Sequence, residues 1–203
     1  MYKIRSTGGW QNYRMCSLEV SVGKDYHEGR KFEDTCRWAA QRFPQVLVNV
    51  GDTLQRHYLP DGCAETARAA GDAWLERNAA ALRLLEGRMM LIRWDDWRNH
   101  PTYPLARAEI DRRLHVDPVF AQAVTQDLSD FVARNPSLKA SACRAFLLEE
   151  LAVELIFNET YEAVMLYPGG QLHSMALVSN KPFCRLSYRR KAAGSSLAQA
   201  VAA

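Results

Sequence analysis

The stretch that decides the fold runs from Met15 to Leu59: MCSLEVSV (15–22), GKDYHEG (23–29), RKFEDTCRWAAQR (30–42), FPQ (43–45), VLVNV (46–50) and GDTLQRHYL (51–59). The first piece reads as a strand and the second as a loop, with Gly23 and Gly29 at its ends. The third reads as a helix, because Phe32, Cys36 and the Ala39/Ala40 pair recur on one side. Pro44 blocks its continuation. The β-branched run 46–50 is a second strand. A strand, a loop, a helix and a strand in this order make the unit from which parallel sheets are assembled.

Outward from this unit the alternation continues. A helix is expected from Ala64 to Glu86, closed by Gly87 as the residue just past its end. RMMLIRW (88–94) reads as a third strand. Helices are expected at 104–114 and from Asp117 or Pro118 to Arg134, with the proline where a first helical residue tolerates it. Ser137 looks like an N-cap for a helix at 138–156. EAVML (162–166) is a fourth strand and FCRLSY (183–188) a fifth. The expected class is α/β: one Rossmann-like domain over residues 1–203, a parallel-rich sheet with helices on both faces. The AAGSSLAQAVAA tail (192–203) is expected to fray. Ligands of such sheets sit at the carboxyl ends of the strands, which places Ser21 and Tyr167 where chemistry is to be sought.

Composition narrows the class. With 203 residues and 48% hydrophobic content the chain can bury a full core. The net charge of +3 permits a nucleic-acid partner without requiring one. Arginine outnumbers lysine 20 to 6, a bias that suits phosphate contacts and also arises from GC-rich coding. The five cysteines show no CxxC spacing, so neither a disulfide framework nor a zinc site is supported. A reducing cytoplasm is the expected compartment. The N-terminal segment lacks an apolar signal region, and no apolar run approaches the ~18 residues of a membrane span. No GxGxxG follows the first strand and no GxSxG occurs, which argues against a dinucleotide cofactor and a hydrolase elbow. Neither a cofactor nor a metal is expected. His27 and His57 lack metal-like spacing, and Asp95-Asp96 reads as a turn or helix start. RRM, KH and zinc-finger signatures are all missing, and DNA is not an expected partner.

The ordered set of strand, Ser21, loop, helix with Trp38-Ala39, second strand and Gly51-Asp52 resembles the opening of the tRNA-dependent cyclodipeptide synthases. Downstream, Phe146-Leu-Leu-Glu-Glu150 resembles the family's Tyr-x-x-x-Glu pair, and Tyr167-Pro168 resembles its strand-end tyrosine in the Tyr-Pro subfamily, as does Lys24 three residues after the serine. The resemblance covers roughly residues 15–190. It implies a fold like that of class I aminoacyl-tRNA synthetase catalytic domains. It also implies two aminoacyl-tRNAs as substrates and a two-step acyl transfer. Ser21 takes an aminoacyl group from the first tRNA, reaction with the second aminoacyl-tRNA gives a dipeptidyl enzyme, and this cyclises to a diketopiperazine. Such an enzyme needs no ATP, because the tRNA ester is already activated; a monomer is the default expectation.

The same resemblance assigns roles. Ser21 is the nucleophile, and Glu150 moves protons and binds the substrate amine. Tyr167 hydrogen-bonds near the reacting centre. Helical periodicity places Glu150 on the face of Phe146 but separates it only weakly from Glu149. Val153 and Met165 match positions lining the first aminoacyl pocket. Two positions depart from the pattern. Phe146 stands where a tyrosine hydroxyl is usual. Glu19 stands where glycine is common, on the same strand face as Ser21, where it would select a cationic or hydrogen-bonding side chain or pair internally with an arginine. For tRNA, Arg68, Arg77 and Arg83 lie on the 64–86 helix, in the region the family uses for backbone contact. The Lys181–Lys191 stretch is a second basic strip. Two rivals remain: a catalytically altered protein of the same fold that binds tRNA or aminoacyl-tRNA, and an unrelated Rossmann-like enzyme acting on another acyl ester.

Overall fold

The computed structural model describes residues 2–7 and 9–190, so the tail expected to fray lies outside the described residues. The strands are β1 (Tyr2–Ser6), β2 (Met15–Val20), β3 (Gln45–Val50), β4 (Met89–Arg93), β5 (Ala163–Tyr167) and β6 (Phe183–Arg190). The helices are α1 (Gly29–Ala40), α2 (Ala64–Arg77), α3 (Ala79–Leu82), α4 (Trp94–Arg98), α5 (Tyr103–Val116), α6 (Pro118–Arg134), α7 (Ala140–Thr160) and α8 (His173–Val178). The sheet order is β1-β6-β5-β2-β3-β4. Only the β1–β6 pair is antiparallel; the other four pairings are parallel. This is the expected α/β class with a Rossmann-like, mostly parallel sheet.

Strand alternation divides the core into two layers. Cys16, Leu18 and Val20 of β2 join Val46, Val48, Val50, Val164 and Leu166 under α1, with Trp74 and Leu85 completing that layer. The opposite face, carrying Leu47 and Ala163, is covered by Phe146, Val153, Ile156 and Phe157 of α7 and by Trp94 and Trp97 of α4. A third cluster joins α5, α6, α7 and α8 beyond the sheet, around Ile110, Phe120, Leu147 and Leu151. Ser17, Glu19 and Ser21 therefore point to the α7 side.

Several boundaries differ from the sequence reading, each for a local reason. The first strand ends at Val20 rather than Val22, because Ser21 and Val22 already belong to the bend. The 64–86 helix is interrupted at Asn78, whose amide donates to the Trp74 carbonyl at 3.0 Å and to Glu28 at 3.2 Å, while α3 and a 3-10 turn carry Leu82 and Leu85 onto α1. Ser137 is not the N-cap of α7. Lys139 holds that position without a side-chain cap, and Ser137 lies in the preceding turn. The same helix runs past 156 to Thr160, since Ile156 and Phe157 continue its buried stripe. Strand β1 was not foreseen; its charges at every second position mark one open face. Among the described residues no helix is long and apolar enough to cross a membrane.

Candidate active site

Ser21 follows β2 directly, and the chain around it is held from several sides. Its backbone N–H donates to His27 Nδ1 at 2.8 Å. Gly23 turns with φ +85°, and a 3-10 turn at Asp25–His27 folds the loop back. The His27 carbonyl accepts from the Trp74 indole at 2.8 Å. Burial pushes the His27 imidazole down to about 4, so it is neutral, and Nδ1 carries a lone pair for the Ser21 amide. His27 thus holds the Ser21 backbone through Nδ1. This is the polar structural role read from the sequence.

The Ser21 hydroxyl instead meets a tyrosine. Its Oγ lies 3.3 Å from Tyr167 Oη at the end of β5, and Tyr26 Oη lies 3.0 Å beyond that. Three hydroxyls therefore form a chain across the carboxyl ends of two adjacent parallel strands. Burial pushes the Tyr167 phenol well above its ordinary range. Gly169 lets the following turn pack on the ring: a Cβ there would sit 2.5 Å from Tyr167 Cε1.

The hydroxyls open onto a cavity of about 550 Å³ between the sheet and α6–α7. Glu19, Glu150, Val153 and Met165, singled out in the sequence, all line it, as does Phe146. Glu19 pairs internally, though with amide and hydroxyl rather than arginine. It accepts from Asn49 Nδ2 at 2.6 Å and from the Ser17 hydroxyl. Asn49 is its register partner on β3, and is itself held by the Trp97 indole at 2.8 Å. Burial raises Glu19 to about 7.

The neighbouring acids Glu149 and Glu150 have opposite surroundings. Burial alone would raise Glu149, but hydrogen bonds from His57, Arg56 and Trp94 outweigh it and hold the carboxyl at about 2. Glu149 is thus a fixed anion tying α7 to the 3-10 helix Thr53–Tyr58 and to α4. Glu150 faces the cavity with no hydrogen-bond or ion-pair partner among the described residues. Burial, with the charges of Glu19 and Asp127 adding, raises it to about 8. One turn on, Glu154 also rises to about 8, chiefly by burial. Among the described residues, no group of three or more His, Cys, Asp and Glu side chains is placed to hold a metal ion.

Phe146 is a packing residue. Its ring stacks on Tyr58 at 4.5 Å and 13°, with Phe131 at 5.6 Å. The expected tRNA arginines do not share one face. Arg68 pairs with Asp95 at 3.0 Å, Arg77 pairs with Glu28 at 2.9 Å, and Arg83 lies beyond the interrupted helix. The basic strip of β6 is placed differently. Arg185 is level with Tyr167, and Phe183 on the same strand lines the cavity. Arg185 and Arg189 continue that face, joined by Lys3 and Arg5 of β1 through the Lys3–Arg189 and Arg5–Ser187 register. All four are exposed and form no ion pair among the described residues. Lys181 pairs with Glu162, and Lys191 lies outside the described residues.

Sequence reasoning missed Tyr26, Asn49, Tyr58 and Glu154. Two left a signal: an asparagine inside an apolar strand, and a glutamate one helical turn after Glu150. Tyr26 and Tyr58 left none, since both lie in loops or 3-10 turns.

The sequence matches no family model and no curated protein. Solved structures do match. A CDPS (cyclodipeptide synthase) from Fluoribacter dumoffii superposes with a TM-score of 0.85 at 23% identity, covering 94% of this chain and 100% of that one. A Mycobacterium tuberculosis protein, described as showing that cyclodipeptide synthetases are related to type I tRNA synthetases, gives 0.67 at 14% identity, covering 92% and 93%. A cyclodipeptide synthase from Candidatus Glomeribacter gigasporarum, solved bound to Phe-tRNAPhe, gives 0.60 at 16%, covering 91% of each. Over nearly its whole length this chain has the Rossmann-like fold of the cyclodipeptide synthases.

Proposed function

We propose that this protein is a cyclodipeptide synthase of the Tyr-Pro type, acting as a single-domain monomer on two aminoacyl-tRNAs. The observation that carries the reading is the pairing of Ser21 Oγ with Tyr167 Oη at 3.3 Å, at the strand ends, facing a cavity that holds the unpartnered Glu150. Ser21 attacks the ester carbonyl of the first aminoacyl-tRNA and the tRNA hydroxyl leaves. Tyr167, backed by Tyr26, supplies the hydrogen bond that orients Oγ and passes protons along the hydroxyl chain. The amine of the seryl-bound aminoacyl group then attacks the ester of the second aminoacyl-tRNA, whose tRNA hydroxyl leaves, and the free amine of the resulting dipeptidyl enzyme attacks the seryl ester, closing the ring and releasing Ser21.

Amines attack only after losing a proton. Glu150, raised to about 8, is matched to an α-amino group of pKa roughly 8, so the transfer between them is close to thermoneutral. Glu19, Asn49 and Glu154 make one wall of the cavity polar, and this wall favours a cationic or hydrogen-bonding side chain in the first aminoacyl pocket. The exposed face of Lys3, Arg5, Arg185 and Arg189 continues from the cavity and suits the phosphate backbone of the tRNA whose acyl end enters it.

The test is mass spectrometry of the medium from bacteria expressing wild type and Ser21→Ala. A diketopiperazine made by wild type and missing with the variant is the expected result. Soluble wild-type protein that copurifies with tRNA yet yields no diketopiperazine overturns the reading in favour of a binding protein.

A further inference from the structure

The cavity in front of Ser21 is graded in charge. Its acids Glu19, Glu150 and Glu154 are half-buried or buried, whereas two cations that also line it, Lys24 and Arg134, are exposed. Neither cation forms an ion pair among the described residues. Lys24 closes a turn on the nucleophile: Gly23 takes φ +85°, and the Lys24 N–H donates to the Ser21 carbonyl at 3.3 Å. Such a turn keeps its first and fourth Cα atoms within about 7 Å, so the lysine side chain starts beside Ser21. The adjacent acid, Asp25, is taken by Lys31 at 2.6 Å. Arg134 ends α6. Its Nε donates to the Asp130 carbonyl at 3.0 Å, and its guanidinium lies 5.1 Å from the centroid of Phe131, a ring of the cavity wall. The two Nη groups make no hydrogen bond among the described residues. A planar fork is thus held on an aromatic face with its outer donors free.

A ligand that matches this gradient is positive at its inner end and negative at its outer end. An aminoacyl-tRNA has that order: the ammonium, the ester, the terminal ribose and then, one sugar away from the ester, the first phosphodiester. We propose that Lys24 and Arg134 form a phosphate clamp at the cavity mouth, which holds the phosphodiesters of the last nucleotides of the tRNA while its ester is presented to Ser21. Lysine acts there as a point charge, and the arginine fork can take two oxygens of one phosphate. Binding energy from this non-reacting part of the substrate orients the reacting carbonyl. The inference rests on the aminoacyl-transfer reading above. The clamp is separate from the β1–β6 strip, which contains neither residue.

The experiment follows acylation of Ser21 in the purified full chain by quenched intact-protein mass spectrometry at subsaturating aminoacyl-tRNA. The probes are two competing inhibitors, adenosine, which has no phosphate, and the trinucleotide CCA, which carries the terminal phosphodiesters. Wild type is expected to bind the trinucleotide at least about tenfold more tightly than adenosine, the range for a hydrogen bond to a charged partner. The double change Lys24→Gln with Arg134→Gln is expected to erase that advantage and leave the inhibition constant of adenosine unaltered. It is also expected to lower the slope of log inhibition constant against log salt by roughly 1, as loss of two single-strand phosphate contacts requires. Lys24→Arg keeps the charge and is expected to keep most of the advantage. Both positions are exposed, so Tm is expected to stay within about 2 °C. A trinucleotide that inhibits wild type no better than adenosine overturns the clamp alone. So does an unaltered trinucleotide constant in the double variant, or an equal loss for both inhibitors, which assigns the two residues to the shape of the cavity. Absence of any acyl-enzyme from wild type with a full set of aminoacyl-tRNAs overturns the underlying reading, and the clamp with it.

Discussion

Glu154→Gln tests the electrostatics of the cavity without reference to any reaction. Glu154 is 4% exposed, and its carboxyl is raised from 4.5 to about 8, first by burial and then by the charges of Glu19 and Glu150. Between those two values the unfolded chain has released its proton while the fold still holds it. The folded state then binds more protons, so stability falls as pH rises. The contribution is fully present below about 4.5 and is lost once pH passes about 8. Each pH unit in that window costs about 1.4 kcal/mol, so the whole span is worth up to about 5 kcal/mol. Relaxation of Glu19 and Glu150 when one charge is removed reduces the expected gain to about 3 kcal/mol. Glutamine keeps the shape and the acceptor that Asn158 Nδ2 reaches at 3.1 Å. Urea denaturation at pH 5 is therefore expected to find the two proteins within about 1 kcal/mol. At pH 8.5 the variant is expected to lead by about 3 kcal/mol, or roughly 6–12 °C in Tm. A wild-type-to-variant difference that is the same at both pH values refutes the reasoning, because it means the carboxyl is already ionised in the fold.

Glu19→Gln is expected to change which amino acids are incorporated, read from the products formed with a panel of aminoacyl-tRNAs; an unchanged profile removes Glu19 from selectivity. The double change Arg185→Ala with Arg189→Ala is expected to weaken tRNA binding and to lower the slope of log K against log salt by roughly 1–2, as loss of two phosphate contacts requires. An unaltered slope moves the tRNA elsewhere. Gly169→Ala places a methyl 2.5 Å from the Tyr167 ring, so it is expected to displace that hydroxyl and cut Ser21 acylation at least about tenfold, while circular dichroism stays native. Wild-type rates from this variant show that the turn yields instead of the ring.

The polar wall is built from residues that are individually unremarkable in sequence. Glu19 and Asn49 meet only because β2 and β3 pair in a register that puts them side by side. The indole of Trp97 then fixes the amide orientation from α4. Arg56 and Arg98 face Glu149 and Arg93 faces Asp52, whereas Arg134 and Lys24 line the cavity and form no ion pair among the described residues. Among the described residues none of the three raised carboxyls of Glu19, Glu150 and Glu154 forms an ion pair.

Strand–helix alternation, the α/β class and the strand-end positions of Ser21 and Tyr167 were legible in the sequence, because a period of two or 3.6 residues and a proline or glycine stop are local properties. The sheet order is not local. It is set by long-range burial of whole faces, which is why β1, half-buried and charged at alternate positions, was invisible until β6 paired with it. The same holds within the site. Periodicity placed both Glu149 and Glu150 near one helical face, and only the packing of the Thr53–Tyr58 turn and α4 against α7 gave the first to Arg56 and Trp94 and left the second facing the cavity. Phe146 read as a lost hydroxyl; in the fold its ring stacks on that of Tyr58, a residue 88 positions earlier in the chain. Residue type and local conformation were the sequence's own. Protonation state and hydrogen-bond partner were decided by the tertiary structure, since both depend on which distant side chains exclude water from the group.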